Sequence, residues 1–94
     1  MAKFFMFGKY SLSALKSISP ERTKKTARVI EKLGGEVISI YALLGNHDLV
    51  LIVSLPGTEE AIKASAALTR LTGVSFSTSP AIEVEYFDKI MQEA

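Results

Sequence analysis

Residues 36–55 read Glu-Val-Ile-Ser-Ile-Tyr-Ala-Leu-Leu-Gly-Asn-His-Asp-Leu-Val-Leu-Ile-Val-Ser-Leu, and this run decides the fold. Two strand-like stretches, 36–44 and 47–55, flank Gly45-Asn46. That dipeptide suits a two-residue hairpin turn, because both residue types tolerate the positive φ such turns require. The turn then sets the register: Leu44 opposite His47, Ala42 opposite Leu49, Ile40 opposite Leu51, and Ile38 opposite Val53. Side chains on a strand alternate between faces, so these eight share one face. It is almost wholly apolar and is expected to be the helix-covered core. The other face carries Val37, Ser39, Tyr41, Leu43, Asp48, Val50, Ile52 and Ser54. Five of these eight are large and hydrophobic, and solvent is a poor place for them.

Helical patterns lie on both sides of the hairpin. Upstream, Ser19-Pro20-Glu21 is a helix start: a capping hydroxyl, a proline at the first helical position, and a carboxylate at the positive end of the dipole. Thr23, Ala27, Ile30 and Leu33 then line one side, and Gly34-Gly35 ends the helix. Downstream, Pro56-Gly57 breaks the strand and Thr58-Glu59-Glu60 opens a second helix. Ala61, Ala64, Leu68 and Leu71 form its inner stripe, and Gly73 closes it. Residues 3–10, rich in aromatics, read as a first strand, and residues 11–18 as a connection with one helical turn. Val74 to Ile82 alternate with small polar residues as a fourth strand. Pro80 lacks an N–H and places that strand at an edge. Residues 85–94 read as a short helix with Phe87, Ile90 and Met91 on one side.

The order strand, helix, strand, strand, helix, strand is the split β-α-β pattern of an α+β, ferredoxin-like fold. Right-handed crossovers give an antiparallel sheet ordered 4-1-3-2 with both main helices on one face. Residues 1–94 are expected to form a single domain. The other sheet face, with Tyr41, Leu43, Val50 and Ile52, is left bare. The simplest cover is a second copy across a twofold axis, giving a homodimer or a higher even-numbered oligomer. A sheet face lining a ligand cavity would carry the same pattern.

Composition narrows the function classes. Hydrophobic residues make up 48% of the 94, and mean hydropathy is +0.25. That is more apolar material than a small two-layer domain hides alone. A net charge of +1 supplies no long-range field for nucleic acid or an anionic membrane. With no cysteine and one histidine, a transition-metal site within one chain is not expected. No cofactor is implied: no phosphate-binding loop or dinucleotide glycine pattern occurs, since Gly34-Gly35 follows a helix where those motifs follow a strand. No apolar run approaches a membrane span, and Phe4 to Phe7 is too short for a signal-peptide core. A cytoplasmic location is the expectation.

Lys32-Leu-Gly-Gly-Glu-Val37, Ala42-Leu-Leu-Gly-Asn-His-Asp-Leu-Val50 and Thr78-Ser-Pro-Ala81, in this order and spacing, resemble the GYD-domain family. The resemblance runs from Phe4 to about Ile90. In the family's Gly-Tyr-Asp signature the tyrosine position is held here by His47, with Gly45 and Asp48 matching. The resemblance implies a dimeric α+β barrel, in which two ferredoxin-like sheets pack face to face. It implies no particular reaction.

Four residues are candidates for a ligand site: His47, Asp48, Tyr41 and Tyr10. His47 carries the chain's one imidazole, so it can shuttle a proton or simply cap the third strand. Asp48 opens an apolar strand. It can accept hydrogen bonds from a ligand, or cap the N–H groups of the Gly45-Asn46 turn. Tyr41 and Tyr10 can offer hydroxyls, or pack their rings. Ser75, Ser77 and Ser79 make a hydroxyl ladder with no evident base beside it. The basic first helix, with Lys24, Lys25, Arg28 and Lys32, is expected to be a solvated face. The leading expectation is therefore a homo-oligomeric module that binds a small organic ligand or regulates. A cofactor-free enzyme, monooxygenase- or isomerase-like, and a purely structural subunit are the alternatives.

Overall fold

The computed structural model describes residues 1–94. Its elements are β1 (Ala2–Tyr10), α1 (Leu12–Lys16), α2 (Pro20–Lys32), β2 (Glu36–Ala42), β3 (Leu49–Leu55), α3 (Thr58–Thr72), β4 (Val74–Ala81) and α4 (Val84–Glu93). The four strands form one antiparallel sheet in the order β2-β3-β1-β4, the expected order read from the other edge. The two long helices begin or end where the local chemistry places them. Ser19 Oγ accepts the Arg22 N–H at 3.1 Å with Pro20 opening α2, and Gly73 closes α3 in the left-handed region at φ 77°.

Both long helices cover the same side of the sheet. Phe4, Met6, Leu51, Val53 and Leu55 rise from the strands to meet Ile30 of α2 and Ala61, Ala64 and Leu68 of α3 in one buried cluster. The alanines let α3 sit close to the sheet, so Leu68 reaches the centre. The inner stripes differ by one position from the sequence expectation. In α2 the buried residues are Thr26 and Ile30, with Thr23 exposed; in α3, Thr72 is buried where Leu71 was expected. Both threonines remain satisfied by back-bonding: Thr26 Oγ1 donates to Arg22 O at 3.0 Å, and Thr72 Oγ1 to Leu68 O at 2.7 Å.

The hairpin departs from expectation at both ends. The pairs Ala42–Leu49 and Ile40–Leu51 hold, but a bulge follows, so that Val37 and not Ile38 stands opposite Val53. Ile38 is the extra residue and is 47% exposed, while Val37 packs against the core. At the open end, residues 43–48 form a longer connection, closed by the Leu43 N–H on Asp48 O at 2.8 Å. Leu44, expected in the core, is fully exposed. At the start of β2, a Cβ on Gly35 would overlap the Ser54 carbonyl oxygen, so that entry is open only to glycine.

The Phe4–Phe7 run is divided by the pleat. Phe4 and Met6 are buried under the helices, while Phe5 and Phe7 lie half-buried on the other face. α4 leaves the body at Glu83, whose carboxylate lies 3.8 Å from Lys3 Nζ, and none of its residues is buried. With this arm the radius of gyration is 14.2 Å, against about 12.4 Å for a compact chain of this length. No helix is long and apolar enough to cross a membrane.

Candidate functional site

The sheet face away from the helices holds a concentration of aromatic and apolar side chains outside the core. Register builds it row by row. Tyr41, Val50, Phe7 and Ser77 cross the four strands in one line, and Ser39, Ile52, Phe5 and Ser79 in the next. Phe5 and Phe7 form a tilted pair with ring centroids 6.3 Å apart, and the His47 imidazole lies 5.1 Å from Phe7 at 41°. These are ordinary separations for interacting aromatic rings. Val50, under this aromatic cover, is only 6% exposed, while Tyr41 at the edge is 57% exposed. Exposed Ser75, Ser77 and Ser79 border the opposite side.

The four residues singled out in the sequence are not brought to one point. His47 was assigned to the helix-covered face by strict alternation. Its ring instead meets Phe7 on the bare face, because the irregular 43–48 connection breaks that alternation before β3 begins. Asp48 takes a structural contact, though not the one expected. Its Oδ2 accepts the Tyr10 backbone N–H at 2.8 Å, while its own N–H donates to Gly8 O, also at 2.8 Å. The carboxylate thus ties the start of β3 to the end of β1 rather than capping Gly45-Asn46. Tyr41 falls on the bare face in the row of Phe7. Tyr10 falls on the helix side in register with Val74, with the Arg22 guanidinium 5.7 Å from its ring centroid.

Arg22 carries no signal in the sequence beyond membership of a basic helix, yet it organises the junction of α1 and α2. Its Nη1 donates to the Ala14 carbonyl of α1 and to Ser17 Oγ at 3.1 Å, while its guanidinium carbon lies over the Tyr10 ring. A cavity of about 130 Å³ lies beneath, bordered by Tyr10, Thr26, Ile40 and Phe76. That volume suits a few waters better than an organic ligand. No three His, Cys, Asp or Glu side chains gather as a metal site.

The bare face is therefore an apolar, aromatic floor with one imidazole and one phenol on its β2–β3 side and three hydroxyls on its β4 side. Such a surface recognises flat or aliphatic groups by contact, and orients them with few hydrogen bonds.

A search of curated proteins finds no match. Among solved structures, the chain is similar to the leucine response regulatory protein of Mycobacterium tuberculosis, at 13% identity and a TM-score of 0.58, covering 87% of this chain and 51% of that one. It is likewise similar to an AsnC-family transcriptional regulator from Agrobacterium tumefaciens, at 20% identity and a TM-score of 0.57, covering 87% and 50%. The chain spans about half the length of each, and at these identities the likeness is one of fold. The GYD-domain family model matches residues 4–91. With the expected strand order in place and the match running nearly end to end, the chain belongs to the GYD-domain family.

Proposed function

We propose that the protein is a homo-oligomeric module that binds a small organic ligand and serves a regulatory role. In this reading its bare sheet face packs against that of a second copy across a twofold axis, as in a dimeric α+β barrel. The observation that carries the reading is the face itself: Phe5, Phe7, Val50 and Ile52 in adjoining rows, with the His47 ring tilted against Phe7. The accessible surface of the chain supports it. That surface is 6319 Å², about 1,000 Å² above the roughly 5,300 Å² expected of a folded monomer of 10.2 kDa, an excess to which both this face and the unburied α4 contribute. An ordinary interface takes about 800 Å² from each partner.

Two such faces, rimmed by His47 and Tyr41 of each subunit, enclose a space whose floor is aromatic and whose polar groups are few. A small, mostly apolar metabolite with one or two hydrogen-bonding groups fits that description. The two solved structures with this fold that are named as regulators make a regulatory role the natural one. An enzymatic reading draws no support from Asp48, because its carboxylate already holds the Tyr10 N–H.

Native mass spectrometry of the purified full chain tests the proposal, followed by denaturing analysis of whatever co-purifies. The expected result is an even-numbered oligomer that retains a small molecule. A stable monomer at micromolar concentration would overturn the assembly, and with it the enclosed site.

A further inference from the structure

One apolar face is left over after the sheet. In α4, Val84, Tyr86, Phe87, Ile90 and Met91 fall within one arc of about 160° at 100° per residue, and Glu85, Asp88, Lys89, Gln92 and Glu93 fill the remainder. A helix with so clean a division ordinarily buries its apolar side. Here Phe87 is 47% exposed and no α4 residue is buried.

The body carries a matching concavity. Between α3 and the edge strand β4 runs a groove of about 590 Å³ with Phe4 and Ala61 in its floor, Ile62 and Ala66 on the helix wall, and Pro80 on the strand wall. Ser65 Oγ and Thr78 Oγ1 span it at 2.7 Å. Arg70 stands at one end and forms no ion pair, the two in the chain being Lys3–Glu83 and Lys63–Glu59. The lengths agree: α3 offers about 22 Å of wall and α4 is about 15 Å long. The charges agree too. Residues 83–94 carry four acidic side chains and one lysine, net −3, whereas residues 1–82 carry ten basic and six acidic side chains, net +4.

We infer that α4 of one copy docks in the α3–β4 groove of another, with Phe87 on the groove floor and a carboxylate bordering its apolar arc, Asp88 or Glu93, at the end where Arg70 stands. Within one chain no α4 residue lines the groove, and Glu85, Tyr86 and Lys89 instead border the start of β1 beside the Lys3–Glu83 pair, so the occupant comes from a second chain. The groove suits a helix better than the bare sheet does. It is a groove between a helix and a strand, whereas a sheet face is suited to another sheet. This exchange uses a surface distinct from the sheet face and does not depend on the sheet pairing.

The absence of cysteine makes the test direct. Ile62 and Phe87 are both exposed, so cysteine at either position leaves the core intact. A tagged Ile62→Cys chain and an untagged Phe87→Cys chain, co-expressed at full length and treated with a short bismaleimide, are expected to give a tagged–untagged linked pair. Phe87→Asp and, separately, Ala66→Arg should each weaken self-association roughly tenfold or more, measured by native mass spectrometry over a dilution series. Only homotypic links, no link at all, or a doubly substituted chain that links solely within itself would overturn the exchange. Ile52→Lys, on the sheet face and away from the groove, separates the two ideas. A hetero-link that survives in that background leaves the exchange standing when the sheet pairing fails.

Discussion

Replacing Asp48 by alanine is expected to destabilise the fold by about 2 kcal/mol, with no loss of a buried apolar group. The contact at stake is one charge-assisted hydrogen bond, from the Tyr10 N–H to Asp48 Oδ2 at 2.8 Å, in a partly buried position. Hydrogen bonds to charged groups contribute about 1.5–3 kcal/mol net, and an amide left without an acceptor costs about 1–3 kcal/mol. Either way of reckoning puts alanine near 2 kcal/mol, and the two are views of one loss. Asparagine keeps an acceptor oxygen but loses the charge, so Asp48→Asn is expected to cost about half as much. For a domain of this size, 1 kcal/mol corresponds to roughly 4–8 °C in Tm. Alanine should therefore lower Tm by about 8–16 °C, and asparagine by about 4–8 °C.

Urea denaturation of the three proteins at one matched concentration measures this, since an oligomer's apparent stability depends on concentration. Hydrogen exchange adds a local readout. The Tyr10 amide should lose protection in Asp48→Ala well beyond the global change, and keep part of it in Asp48→Asn. An alanine variant within about 0.5 kcal/mol of the parent would refute the reasoning, because the carboxylate would then not be holding the end of β1. An asparagine variant as unstable as the alanine one would move the cause from the acceptor to the charge.

Other perturbations have equally definite outcomes. On the proposed sheet pairing, Ile52→Lys, at the centre of the bare face, should shift the protein toward monomer in light scattering while leaving its circular dichroism unchanged. Ser19→Ala removes the cap on the Arg22 N–H and should cost about 1 kcal/mol in urea denaturation. Gly35→Ala forces a Cβ against the Ser54 carbonyl and should cost more than about 2 kcal/mol, or prevent folding, which soluble yield and Tm both report. Leu68→Ala opens a cavity under α3 and should cost about 2–5 kcal/mol by the same denaturation assay.

Much of the fold was legible because its signals are local. Ser19-Pro20, Gly73 and the alternation in residues 49–55 each act over a few residues, and each specified the element that forms. The strand order needed only the handedness of two crossovers. The bulge at Ile38 was not legible in the same way. It reconciles a register set at one end by the Gly45-Asn46 connection with one set at the other by the close approach of Gly35 to Ser54. No window shorter than the whole hairpin contains both constraints. The site suffered more than the fold from this limit. Alternation was carried two residues too far, into an irregular connection, and so His47 was assigned to the core face, while its ring lies on Phe7. The role of Arg22 was invisible for another reason: its partners Ala14, Ser17 and Tyr10 come from three different segments.

The excess hydrophobicity of the chain resolves into two surfaces of different shape, and that difference carries the functional argument further than either surface alone. If the bare sheet were simply surplus core, its residues would be aliphatic and closely packed in their own monomer, as Val50 is. Instead the rows around Val50 hold two phenylalanines and an imidazole in tilted contact, with hydroxyls at both edges, Ser39 and Tyr41 on β2 and Ser77 and Ser79 on β4. A sheet meant only to pack against another gains little from an imidazole at its rim, whereas a pocket between two sheets gains a hydrogen-bonding group just where the apolar floor ends. The placement of His47, which follows from an irregular connection and not from strand alternation, is thus what favours an enclosed ligand site over a plain structural interface.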